Sequence, residues 1–283
     1  MLGHVTTGHR ALDRPEPPAF GELGHGEQVS AVAEFQRRWH TAKTEYDDLT
    51  YERAVMAAAA ERSAPPGLLL ADLAAAMGIS ATALRLASAG EQPLRVPRPD
   101  AEHLPDRRRR AYYRMLHGIT DVNDLIDWPA VVGFEIPAAL TPAFGGLGHD
   151  EQVAAVAELQ RRHRAAKTAH EELTYERAVL VAAAVRSGPP RAARRIVAAA
   201  IGMNPTSLSV ICRVETPPGT DINRSNARRA YYRNLHRITD VIDPVDWAAH
   251  GGYDIPRRRP RPRGARHLGP DVPFYDKSGE RIR

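Results

Sequence analysis

The chain has 283 residues, 26% of them charged and 43% hydrophobic, with a formal net charge of +5. That length accommodates two cores of ordinary domain size. One cysteine, Cys212, excludes a disulfide framework, and neither a leader-like segment nor an apolar run of membrane-spanning length is present, so the expected location is the cytoplasm.

The positive charge is unevenly placed. Residues 257–283 hold nine Arg or Lys against three acids, so the rest of the chain is close to neutral. Only Lys43, Lys167 and Lys277 are lysines. An arginine excess suits phosphate contacts, and it equally reflects the GC-rich coding of an alanine- and arginine-rich, actinobacterial-looking composition.

An internal repeat organises the chain. Phe20 to Ser63 matches Phe144 to Ser187 at an offset of 124, and Leu49-Thr50-Tyr51-Glu52-Arg53-Ala54-Val55 recurs as Leu173-Thr174-Tyr175-Glu176-Arg177-Ala178-Val179. Ala111-Tyr112-Tyr113-Arg114 recurs as Ala230-Tyr231-Tyr232-Arg233 at an offset of 119, so the second copy has lost five residues, placed in a loop near 90–105 and 214–223. Each copy has the size of a domain rather than of a solenoid repeat. The expected organisation is an N-terminal arm (1–18), a first repeat (19–132), a linker (133–142), a second repeat (143–256) and a basic tail (257–283).

Within the first repeat, Val29, Val32, Phe35, Trp39, Ala42, Tyr46 and Leu49 step by three or four, which predicts an amphipathic helix from about Gly26 to Asp48. Thr50 fits the N-cap of a second helix through Ser63, with Leu49 stapled onto Ala54; Leu173 and Thr174 repeat the pattern. Pro65-Pro66 and Pro189-Pro190 close those helices. No alternating run predicts a strand, so the fold class is all-α: two tandem homologous helical domains.

The segment from Leu73 to Leu86 then places Ala74, Gly78, Ile79, Ser80 and Leu84 at telling intervals. A small residue at Ala74 permits a close helix crossing, Gly78 permits a left-handed turn, Ser80 caps the next helix and Leu84 seats it. Ala198, Gly202, Met203, Asn204 and Leu208 hold the same positions in the second copy. Together with the preceding Thr-Tyr-Glu-Arg-Ala helix, these residues resemble the helix-turn-helix superfamily of sigma region 4-like and Cro-like DNA-binding domains, over about forty residues per repeat.

The resemblance implies a second helix lying in the major groove with its N-terminal residues on base edges. Carried over by position, the readers are Ser80, Ala81, Thr82 and Arg85 in the first repeat and Asn204, Pro205, Thr206, Ser207 and Ser209 in the second. Arg85 suits guanine, whereas Ser and Thr discriminate weakly. Because the two sets differ, the implied target is asymmetric, an intrachain pseudo-dimer site.

Downstream, Arg107, Arg108, Arg109, Arg110 and Arg114, with Arg228, Arg229 and Arg233, flank the Tyr-Tyr segments, where Asp106 and Ser225 stand as N-cap types. These arginines read either as phosphate contacts that set register or as a solvated charged face. The tail carries Arg257, Arg258, Arg259, Arg261 and Arg263 between prolines, which reads as an extended arm tracking phosphates or as a solubilising tail.

The expected function is sequence-specific duplex-DNA binding in transcription regulation, in association with the nucleoid. The alternatives are a low-specificity DNA-organising or replicon-associated protein, and a helical protein that docks on RNA polymerase or a sigma factor. No cofactor, metal or enzymatic activity is expected. His25 with His149 and His117 with His236 recur without ligand-spaced neighbours, and the recurring Gly24-His25 and Gly148-His149 lack a phosphate-loop pattern.

Overall fold

A computed structural model describes residues 18–91, 104–122, 126–215, 218–249, 274–275 and 281–282. Among these the fold is all-helical apart from one two-residue antiparallel pairing, Phe274–Tyr275 with Arg281–Ile282, too short to leave an alternating signal in the sequence. The helices are α1 (His25–Arg62), α2 (Leu70–Ala76), α3 (Ala81–Gly90), α4 (Leu104–Leu116), α5 (His149–Ser187), α6 (Ala193–Ala200), α7 (Pro205–Glu215) and α8 (Arg224–Leu235). Short 3-10 turns at Phe20–Glu22, Trp128–Ala130, Phe144–Gly146 and Trp247–Ala249 recur with the repeat.

The first departure from the sequence reading lies in the long helices. The chain does not break at Thr50 or Thr174; α1 and α5 run through them for 38 and 39 residues. Instead of capping a new helix, the Thr50 hydroxyl donates to the Tyr46 carbonyl at 2.8 Å, and Thr174 does the same to His170 at 2.8 Å. A threonine that satisfies its hydroxyl one turn back is compatible with an uninterrupted helix. The N-terminal signal lies upstream, where Glu27 and Glu151 accept from the backbone N–H of Gly24 and Gly148 at 2.9 and 3.0 Å. This is the reach-back half of a capping box, and the recurring histidines beside it lie near serines, His25 Nδ1 3.3 Å from Ser187 Oγ and His149 Nδ1 3.2 Å from Ser63 Oγ.

The described residues form two compact units, one within 37–174 and the other within 1–36 together with 175–283. These bounds cut across the repeats, because α1 passes from one unit into the other between Gln36 and Arg37, and α5 between Thr174 and Tyr175.

In the 37–174 unit the later part of α1 lies antiparallel to the early part of α5. Trp39 Nε1 donates to Thr174 Oγ1 at 3.0 Å, Arg53 to Gln160 Oε1 at 2.8 Å and Ser63 Oγ to Gln152 Oε1 at 2.6 Å. Leu49, Val55, Val156, Leu159 and Phe144 are buried with Leu73 and Leu84 in one core. Residues 133–142 fall within this unit and are mostly exposed, tied down by the Leu140 N–H, which donates to Leu116 O at 2.9 Å, and by Phe134, which packs on Trp128 at 5.6 Å. At Gly145 the backbone comes so close to Gly118 that a Cβ would lie 2.2 Å from its carbonyl oxygen, so only glycine fits without a shift.

The other unit repeats these contacts with exchanged partners. Arg177 Nε donates to Gln36 Oε1 at 2.5 Å, Ser187 Oγ to Gln28 Oε1 at 2.6 Å and the Gly21 N–H to His236 O at 2.9 Å. Phe20, Val32, Val179, Val197, Leu208 and Trp247 are buried there. Each unit thus joins the front of one repeat to the back of the other.

His163 makes the 37–174 unit sensitive to acid. It is buried, its Nε2 is 3.1 Å from Thr50 Oγ1, and burial together with Arg53, Lys167 and Arg164 pushes its pKa down to about 4. The unfolded imidazole titrates near 6.5. A lowered folded pKa means that this contribution to stability is complete above pH ~6.5 and is lost as pH falls from there towards ~4. Urea midpoints measured across that window are expected to fall by the equivalent of about 1–2 kcal/mol after solvent screening, and His163→Gln to flatten the dependence. An unchanged slope in that variant would assign it to other groups.

Candidate nucleic-acid interface

The sequence pattern around Gly78 and Gly202 folds into two bent helix pairs. α2 and α3 meet at 98° and α6 and α7 at 110°, both within the 90–120° of helix-turn-helix units. Gly78 and Gly202 adopt φ of +69° and +64°, the left-handed conformation that favours glycine. The Ile79 N–H reaches back to Ala74 O and the Met203 N–H to Ala198 O, both at 2.9 Å, closing α2 and α6 with a six-to-one bond. Ala74, Ala198, Leu84 and Leu208 are buried, as their spacing predicts. Ser80 accepts from the Ala83 N–H at 3.1 Å, and Asn204 Oδ1 from the Thr206 N–H at 2.7 Å, so both act as N-terminal caps.

On the outer face of α3, Thr82 and Arg85 are exposed and Ala81 is half-buried; Ser80 is exposed but engaged as the cap. On α7, Pro205, Thr206 and Ser207 are exposed beside Asn204, whereas half-buried Ser209 donates its hydroxyl to Pro205 O at 2.9 Å. Two residues the sequence reading passed over share these faces, Leu86 at 69% exposure and Val210 at 59%. They stand 124 residues apart, a recurrence that marks them as paired surface positions.

The flanking arginines divide. Arg114 and Arg233 are buried, and with Arg110 and Arg229 they surround two buried carboxylates. Glu91 receives Arg110 and Arg114 at 2.7 Å each, and Glu215 receives Arg233 at 2.6 Å. Arg229 Nε approaches Glu215 Oε1 to 2.9 Å as an ion pair without hydrogen-bond alignment. Burial pushes the Glu215 carboxyl pKa up while Arg233 and Arg229 pull it down. These four arginines therefore anchor the ends of α3 and α7 to α4 and α8 and are not presented as phosphate contacts. The sequence held the clue, because Glu91 and Glu215 recur at 124 and the arginines at 119.

Arg107 and Arg228 are half-buried, exposed Arg108 stacks over Phe134 at 6.0 Å, and exposed Arg109 stacks over Tyr51 at 5.3 Å. Arg257, Arg258, Arg259, Arg261 and Arg263 lie outside the described residues. Asp106 and Ser225 are not caps: Asp106 accepts from the Tyr51 hydroxyl, Ser225 lies 3.2 Å from the Tyr175 hydroxyl, and α8 is capped by Asn223. The recurring histidines hold the scaffold, His117 on Glu52 at 2.8 Å and His236 on Glu176 at 2.7 Å. Cys212 is half-buried, and burial raises its thiol pKa.

Among the described residues no group of three His, Cys, Asp or Glu is placed to hold a metal ion, and no single helix is long and apolar enough to cross a membrane. A cavity of about 590 Å³ beside α1 is lined by Glu45, Asp48 and Glu52 with His40 and Arg162, an acidic surface that disfavours phosphate. No family model, curated protein or solved structure matches the chain.

Proposed function

We propose that this protein is a sequence-specific duplex-DNA-binding regulator of transcription that uses two helix-turn-helix modules on an asymmetric site. The observation that carries the reading is the double occurrence, in register with the repeat, of a near-perpendicular helix pair. Each has a left-handed glycine at the turn, a small buried residue before it and a second helix whose outer face is exposed. The helices that would enter the major groove are α3 and α7. Thr82 and Arg85 in one, and Pro205, Thr206 and Ser207 in the other, are the exposed candidates for base edges.

Selection from a random duplex library followed by footprinting tests this. The expected result is an enriched sequence with a protected stretch of about 20 base pairs or more and two dissimilar halves. Equal affinity for random DNA at every salt concentration would replace regulation with low-specificity DNA organisation. Full cellular function in the Arg85→Ala, Thr206→Ala double variant would favour a protein partner such as RNA polymerase or a sigma factor.

A further inference from the structure

The two helix pairs share geometry but not charge. Residues 64–91 contain one arginine, Arg85, against Asp72 and the buried Glu91, whereas 188–215 contain Arg191, Arg194, Arg195 and Arg213 against only the buried Glu215. At the offset of 124, the counterparts of those four arginines are Gly67, Leu70, Ala71 and Ala89, none of them charged. All four arginines are exposed, and no ion pair occupies them among the described residues. This separates them from Arg114 and Arg233, whose guanidiniums are buried against carboxylates.

Their placement gives the charge a direction. Arg194 and Arg195 lie in the first turn of α6, and Arg191 is three residues before Arg194. At 1.5 Å of rise per helical residue, α6 sets Arg194 and Arg195 on adjacent steps, with Arg191 just before the helix. In a helix-turn-helix the first helix crosses the sugar-phosphate backbone while the second enters the groove. Arg213 sits in the last turn of α7, on the groove helix itself. Exposed apolar residues do not distinguish the two pairs, since Leu68, Leu69 and Leu86 in the first are matched by Ile196, Val210 and Val214 in the second.

We propose that Arg191, Arg194 and Arg195 form a phosphate-binding clamp for duplex DNA, so that the second helix pair supplies more of the electrostatic affinity than the first, which contributes chiefly through base contacts. The inference rests on the DNA-binding reading and assigns unequal roles to its two modules. Of the two helix pairs, α6 and α7 then carry the larger share of the salt dependence, because each phosphate neutralised contributes about 0.9 to the slope of log K against log salt.

The test is fluorescence anisotropy of the full chain on a random-sequence duplex between roughly 50 and 200 mM salt. The Arg191→Ala, Arg194→Ala, Arg195→Ala triple variant should lower the slope by about 2 to 3 and weaken binding about a hundredfold. Arg85→Ala should change the slope by about 1 or less, and the corresponding triple lysine variant should restore it. Circular dichroism confirms that these exposed substitutions leave the helices formed. A triple variant with wild-type slope, while wild type binds duplex, overturns the clamp and leaves the DNA-binding reading standing. Wild-type protein that binds no duplex at all overturns both.

Discussion

Glu91→Ala is expected to destabilise the 37–174 unit by about 3–5 kcal/mol, the cost of removing one partner from a buried ion pair. The carboxylate is wholly buried and each oxygen holds one guanidinium at 2.7 Å. Removing it takes from buried Arg114 and half-buried Arg110 the carboxylate that both of them bind. The check is a urea titration of the transition belonging to that unit, read as a midpoint shift at constant slope. Replacing all three residues by apolar ones of similar volume is expected to recover most of the loss, because the desolvation penalty disappears with the charges. Glu215→Ala should behave alike in the other unit, where the Glu215 side chain is equally buried and meets Arg229 and Arg233.

Leu84→Ala is expected to cost about 2–5 kcal/mol, the range for a leucine removed from a close-packed interior. Leu84 is fully buried and seats α3 against Leu73, Ala74 and Met77 of the preceding helix and turn. If α3 reads DNA as proposed, the loss of binding should exceed that of Arg85→Ala, because a helix that tilts in the groove loses every base contact together. Thermal denaturation gives the stability term. Anisotropy on a selected site gives the binding term, at a temperature where the variant remains folded. A Leu84→Ala protein with wild-type affinity would show that α3 does not read DNA. Leu208→Ala makes the same measurement on α7.

The bent helix pairs were legible because everything that shapes them lies within about fifteen residues: a small residue, a glycine, a cap and a leucine at fixed intervals. The caps of α3 and α7 were legible for the same reason. The break expected at Thr50 and Thr174 failed because a threonine hydroxyl bonds either forward, as a cap, or back to the fourth carbonyl before it. That choice depends on whether the following residues find a helix to pack along, which local sequence does not state. The Glu91 and Glu215 triads were legible in principle from the recurrence of charged residues at two offsets, but a recurring charge reads equally well as surface until burial is known.

By itself the sequence determined the duplication, the helical content, the turn geometry at Gly78 and Gly202 and the divergence of α3 from α7. Tertiary structure alone decided which front half packs with which back half. Two copies of one sequence carry the same complementary surfaces, so Ser63 finds Gln152 as readily as Ser187 finds Gln28, and no local pattern can say whether a repeat closes on itself or on its twin. It also separated the arginines held by buried glutamates from those open to solvent on α6, because burial is a property of the packed chain.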